Sequence, residues 1–212
     1  MELDAIGDTP PGTLAQVSGT VVQNDTDLIV APFSGIDCVA LRYQVEERRI
    51  GFPTLLPWYV PIHEATAAVE FAVQTTAGTL PIIDSVRTVV LTTDVIETTS
   101  AETTPAERVR TFEQRHDAIP TSTSWQHPPS VLVPIFRVLS LGTQRYSEQR
   151  AARGAGVTII GRISKNQTGI DPLIISDRAP LSTFLRMANT AILGVLTAII
   201  GLSLGYFLVT LA

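Results

Sequence analysis

The last 26 residues of the chain, Met187 to Ala212, contain no charged side chain, and from Ala191 to Leu211 almost every residue is apolar. Those 21 residues, at a helical rise of roughly 1.5 Å each, would reach about 30 Å, one hydrocarbon thickness of a bilayer. A helix of this length buried in a protein core keeps a polar stripe, so this stretch is expected to be a transmembrane helix, closed on its near side by Arg186. It divides the chain into an N-terminal tail over 1–13, a folded β-rich domain over 14–178, and a juxtamembrane and transmembrane segment over 179–212. Within the span, Ala191, Gly194, Ala198, Gly201 and Gly205 recur at alternating spacings of three and four, which puts these small residues on one helix face. That face is the expected seam of a homodimer. The run Gly201-Leu202-Ser203-Leu204-Gly205 spells G-x-S-x-G, but a nucleophile elbow needs a strand-to-helix turn and not a helix in lipid.

Charge is distributed to match. Residues 1–144 hold 8 Arg against 17 Asp and Glu, a balance of −9, whereas residues 145–186 hold 7 Lys and Arg against 3 acids, a balance of +4. An acidic front excludes non-specific binding to nucleic acid, which depends on neutralising phosphates. A basic stretch just ahead of an apolar segment suits an anionic membrane surface, so membrane lipid is an expected partner. Met1 to Pro10 has neither a basic nor an apolar leader pattern. The domain is therefore expected on the cytoplasmic side of a single-pass membrane protein, as Arg178 and Arg186 also favour. The sequons at Asn24 and Asn166 would be open to glycosylation only if the domain faced outward.

The domain reads as mainly β, an antiparallel barrel-like or sandwich fold with one short helix. Residues 14–23 and 28–31 are β-branched runs separated by Asn24-Asp25-Thr26-Asp27. Val39, Leu41, Tyr43 and Val45 alternate with polar or small residues, the period of a half-buried strand, before Glu47, Arg48 and Arg49 run toward solvent. Further strands are expected at 58–62, 67–75 and 86–96 as an antiparallel meander, and at 143–150, 156–164 and 170–175, with Arg153-Gly154-Ala155-Gly156 as a hairpin turn. Thr104 as N-cap, Pro105 at the first helical position and Glu107 form a capping box for a helix that buries Val109 and Phe112 and ends near His116. The Pro- and Ser-rich stretch 118–135 reads as a long connection.

The residues offer little chemistry. His63, His116 and His127 are scattered without acidic or cysteine neighbours at ligand spacing, so no metal is expected. The single cysteine, Cys38, begins a strand and reads as a buried apolar thiol; alone, it excludes disulfide frameworks and zinc ribbons or RINGs. No phosphate-cradling glycine loop occurs, so no cofactor is expected. Glu46, Glu47, Asp84 and Asp94 could pair in space as acid and base, or simply occupy exposed strand positions.

Several blocks carry a family resemblance. Val17-Ser18-Gly19-Thr20-Val21 is an early glycine strand; Ala31-Pro32-Phe33-Ser34-Gly35-Ile36-Asp37-Cys38-Val39 leads into Tyr43 to Glu47 as Pro-x-Ser-Gly-x-x-Cys followed by Tyr-x-Val-Glu-Glu. Glu107 to Arg115, Arg145 to Arg162 with Gly161, and Pro172 to Asp177 follow in order. Together they resemble the GIDE-type, or beside-a-membrane, domain of mitochondrial and chloroplast outer-membrane ubiquitin ligases and their prokaryotic relatives. The resemblance implies a β-rich domain held against a bilayer, and makes Pro32, Ser34, Gly35 and Cys38 the family's motif turn. Within these 212 residues, with a single cysteine and no apolar stretch near Met1, neither the family's RING nor its N-terminal span is expected. The expected function is thus a membrane-anchored, non-catalytic interaction or regulatory domain with a protein partner the sequence does not name. The alternative is a membrane component of a ubiquitin-like conjugation system, similar to an E3 ubiquitin ligase.

Overall fold

The structure, a computed structural model, describes residues 9–22, 28–51, 56–83, 86–100, 103–116, 123–166 and 169–177, with Val195 and Ile199 beyond them. In chain order its elements are β1 (Leu14–Val22), β2 (Ile29–Val30), β3 (Asp37–Cys38), β4 (Ala40–Ile50), β5 (Pro57–Ala68), β6 (Phe71–Thr75), β7 (Gly78–Ile82), β8 (Thr88–Val90) and β9 (Asp94–Thr99). Then come helix α1 (Glu107–Arg115), a 3₁₀ turn at Ser130–Leu132, helix α2 (Val133–Val138), β10 (Gln144–Ala151), β11 (Gly156–Ile163) and β12 (Ile170–Ser176).

The fold is mainly β and is organised around a closed barrel. Strands run β11-β1-β6-β7-β12, and β12 pairs back onto β11, so no edge is left in the ring. The alternation of Ala15, Val17 and Val21 on β1 and the apolar run of β11 supply its filling, joined by Phe71, Val73, Leu80, Ile82, Ile170 and Ile175. Two glycines permit the close packing. A Cβ on Gly19 would lie 2.3 Å from the Gln74 carbonyl oxygen, and one on Gly161 the same distance from that of Asp171. Both belong to the blocks that carry the family resemblance.

A second, antiparallel sheet, β5-β4-β10-β9, grows out of the barrel because three strands pass from one to the other: β5 into β6, β8 into β9, and β10 into β11. Where they bend, Ala40 is paired with Ala68 on one side and Ala151 on the other, small side chains at the most crowded point. Helix α1 covers this sheet with Val109 and Phe112, which pack on Phe33, Val45 and Tyr146.

Several expectations need correction. The barrel is not a pure meander, since β12 runs parallel to β7 and β8. Arg153 to Gly156 is not a hairpin: β10 and β11 lie in different sheets, and the turn is held by β1, with Gly154 N–H donating to the Val21 carbonyl at 2.9 Å and Val21 N–H to that of Ala155 at 2.9 Å. The expected strand at 58–62 extends to Ala68 as β5, while 67–75 breaks at Val69-Glu70 and 86–96 breaks at 91–93, where the chain changes sheets. The helix begins after Ala106, whose backbone N–H is taken by the Glu97 carboxylate at 2.8 Å, so tertiary contact replaces the Thr104 capping box. Residues 118–135 are not all connection: 130–138 are helical, giving α2 beside the one helix expected.

Among the described residues no helix is long and apolar enough to cross a membrane. The expected transmembrane helix and its small-residue face, Ala191, Gly194, Ala198, Gly201 and Gly205, lie outside the described residues, as do Asp84 and Asn24. Val195 and Ile199 are helical and exposed.

The barrel glycines give a direct test. Gly161→Ala must push the β12 backbone away and is expected to destabilise the domain by about 1 to 3 kcal/mol in urea unfolding, whereas Gly156→Ala, with open space around it, should cost much less.

Candidate functional site

The motif turn is built by local chemistry and then fixed by a buried acid. Pro32 sets the backbone at the first corner, Gly35 N–H closes the turn onto the Ala31 carbonyl at 2.9 Å, and Gly35 adopts φ +74°, a conformation that glycine takes without strain. The backbone N–H groups of Phe33 and Ser34 converge on Glu148 Oε1 at 2.7 and 3.2 Å, and Ser34 Oγ donates to Oε2 at 2.6 Å. Arg150 Nη1 completes the shell at 3.1 Å. Glu148 is 0% exposed, so this carboxylate is satisfied wholly by protein donors.

Phe33 leaves the turn into an aromatic cluster, with ring centroids 5.0 Å from Phe112, 5.4 Å from Tyr146 and 5.7 Å from Tyr43, all edge-on. Tyr146 donates its hydroxyl to the Glu113 carboxylate, and burial, reinforced by that acid, holds the phenol well above its ordinary range. The turn, β10 and α1 are therefore one packed unit. Arg108 of α1 lies so close to Gly35 that a Cβ there would sit 2.5 Å from its guanidinium.

Between these parts runs a cleft of about 710 Å³. Its walls include Val30, Leu41 and Tyr43, and α1 with its C-cap lines it with Glu107, Arg108, Thr111, Phe112, Arg115 and His116. Arg108 and Arg115 are seven residues apart on one helix face, about 10 Å along the axis. Both are exposed, and among the described residues neither makes an ion pair. The cleft thus joins apolar surface to two arginines that make no ion pair among the described residues, with the Glu107 carboxylate on the same wall.

The histidines are less scattered than the sequence suggests. His63 and His116 have ring centroids 6.0 Å apart, with His116 stacked on Phe112 at 4.1 Å and its Nδ1 2.9 Å from the Phe112 carbonyl oxygen. Burial, with His116 nearby, lowers the His63 pKa. Among the described residues no group of three or more His, Cys, Asp or Glu is placed to hold a metal.

Pro32, Ser34 and Gly35 lie in the turn between β2 and β3, and Cys38 lies in β3. Cys38 is wholly buried; its thiol donates to the Ile29 carbonyl at 3.4 Å and is pushed up to about 11 by burial, with the charge of Glu148 adding. It is a structural thiol, not a nucleophile. The acids considered as an acid and base pair are instead held apart by separate arginines: Glu46 by Arg145 at 2.8 Å, Asp94 by Arg150 at 2.5 Å, and Glu47 by Arg49 at 2.5 Å. Glu47 does not run to solvent but is fully buried, accepting also from Thr123. In the basic stretch after residue 144, Arg145 and Arg150 are engaged in these pairs, while Arg153, Arg162 and Lys165 remain exposed.

Sequence reading missed Glu148, Arg108 and Arg115 as site residues, and weighed His116 only as a metal ligand. The arginines were findable as an i, i+7 pair flanking the apolar stripe of α1. Glu148 carried no signal, because its burial depends on a turn more than a hundred residues away. No known protein-family model, curated protein or solved structure matches this chain.

Two outcomes follow. Glu148→Ala leaves two amide donors and Arg150 facing a void and should cost about 3 kcal/mol or more, whereas Asp94→Ala, the exposed partner of Arg150, should cost under about 1 kcal/mol; urea unfolding compares them. For His63, the folded pKa lies below the ordinary value of 6.5, so as pH falls through that value the unfolded chain takes up a proton that the folded chain resists. Stability attributable to His63 is therefore intact above neutrality and declines below it. Thermal melts from pH 7.5 to 5.5 should fall more steeply for the wild type than for His63→Gln.

Proposed function

We propose that the chain is a membrane-tethered, non-catalytic interaction domain, held by its apolar C-terminal segment and presenting the cleft between the motif turn and α1 to a protein partner. The observation that carries this reading is the cleft itself: an apolar channel beside two unpaired arginines, assembled by the motif turn. Its polar groups suit binding. The Ser34 hydroxyl and Glu148 are committed to each other and to backbone donors, and Cys38 is buried beneath them. The uncharged stretch from Met187 onward, flanked by Arg178 and Arg186, supports a single-pass anchor with the domain on the cytoplasmic side, and the likeness to beside-a-membrane domains agrees with that placement. The conjugation alternative rests on the same likeness alone.

The anchor is tested by alkaline carbonate extraction: the full-length chain should stay with the membrane pellet and a chain ending at Asp177 should be released, whereas release of both would contradict the reading. The cleft is tested with a photo-cross-linking residue at Thr111, lining it, or at Ala77, in the exposed β6–β7 turn. Protein adducts should form at Thr111 and be lost with Arg108→Glu and Arg115→Glu; equal adducts at the two positions would contradict a role for the cleft.

A further inference from the structure

We propose that the far end of the second sheet is a lipid wedge, a second and peripheral membrane contact that seats the domain on an anionic bilayer; the proposal rests on the membrane tether above. Helix α2 and the turn before it turn their apolar residues outward: Val131 and Val138 are each 83% exposed and Ile135 is 53% exposed. A polar surface helix would bury these positions. The tip of the β4–β5 hairpin adds Leu56 and Trp58, 66% and 55% exposed. The two features sit at one end, because Gly142 N–H donates to the Arg48 carbonyl at 2.8 Å and Arg48 N–H to that of Thr143, and Arg48 is in register with Tyr59, next to Trp58.

The ridge is held out firmly. Trp125 stacks on Phe136 at 5.7 Å beneath it, Thr123 is tied to buried Glu47, and Gly142, at φ +75°, lies where a Cβ would meet the Trp125 carbonyl oxygen at 2.3 Å. Charge names the occupant. From Ala118 to Gln144 there is no acidic residue, in a chain with 20 acids, and Arg137 is the one Lys or Arg. A ridge of Val, Ile and Leu with one arginine and no acid in its own segment, beside a hairpin where Arg49 stands in register with Trp58, matches the boundary between acyl chains and anionic headgroups, where Trp and Arg settle with their polar ends in water. The tether reaches. Asp177, held to Thr92, lies toward the opposite end of β10, roughly 20 Å from the ridge at a strand rise of about 3.3 Å per residue. Residues 178–190 can span up to about 45 Å when extended. A domain lying with β10 along the bilayer plane satisfies both contacts.

The test uses the full-length chain reconstituted into vesicles of phosphatidylcholine and phosphatidylglycerol, with an environment-sensitive fluorophore on Val131→Cys, Val138→Cys or Ala77→Cys; Cys38, wholly buried, does not react. Nitroxide-bearing lipid should quench the labels at 131 and 138 severalfold more than the label at 77, and Val131→Asp should reduce the quenching at 138 while leaving the melting temperature unchanged. Labels at 131 and 138 that answer to aqueous iodide and not to lipid nitroxide, in chains that still float with the vesicles, overturn the wedge and leave the tether standing. Labels shielded from both quenchers in proportion to protein density show a second copy on the ridge and likewise overturn it. Chains that do not float overturn wedge and tether together.

Discussion

Everything distinctive about the site depends on one buried carboxylate. Glu148 sits in β10 with no exposure to solvent, and an ionised acid there is tolerable only if donors surround it. The motif turn supplies two backbone amides and a hydroxyl, and Arg150 supplies a cation. This arrangement converts a short, exposed-looking segment between β2 and β3 into a part of the core. It also explains why Ser34 and Gly35 stand where they do: the first donates to the acid, and the second frees the space that Arg108 occupies.

From that contact the rest of the cleft follows. Phe33, fixed by its own amide, directs its ring into the cluster of Tyr43, Phe112 and Tyr146, and that cluster is what α1 packs against. Burying Val109 and Phe112 leaves Arg108 and Arg115 exposed at the edge of the apolar face, where both line the cleft. The cleft thus arises as the outer side of the same packing that stabilises the second sheet. The barrel's part is indirect: it fixes the roots of β4, β5 and β10 at the alanine corner and so sets the plane on which the cleft lies.

Much of the fold was legible because it rests on local pattern. The β-branched run of β1, the strand at β11 and the two apolar positions of α1 were read from local composition and spacing, and each is present. Most of the errors share a cause, which is that long-range pairing overrode a local signal. The Thr104 capping box yielded to Glu97, a residue of β9. The Arg153 to Gly156 turn has hairpin chemistry, yet its flanking strands belong to different sheets. Glu47 reads as a solvent-facing charge and is instead buried, held by Arg49 and Thr123. The 130–138 helices were hidden by the prolines around them, which mark a helix start as readily as a loop.

The two surfaces the domain offers differ in kind, and each is proposed for a different partner. The cleft, near the turn and α1, combines apolar walls with two arginines and is proposed for a protein segment; the ridge, at the other end of the second sheet, is apolar, with no acid between residues 118 and 144, and is proposed for lipid. Both are carried by the second sheet, and the cleft depends within it on Glu148. The most direct test is amide hydrogen exchange on the full-length chain with Glu148→Ala. The account predicts that exchange accelerates together in the segments 29–38 and 104–116 while the barrel strands β1 and β11 stay protected. Protection of 104–116 unchanged from wild type would contradict it, because α1 would then be held without the turn that is argued to position it.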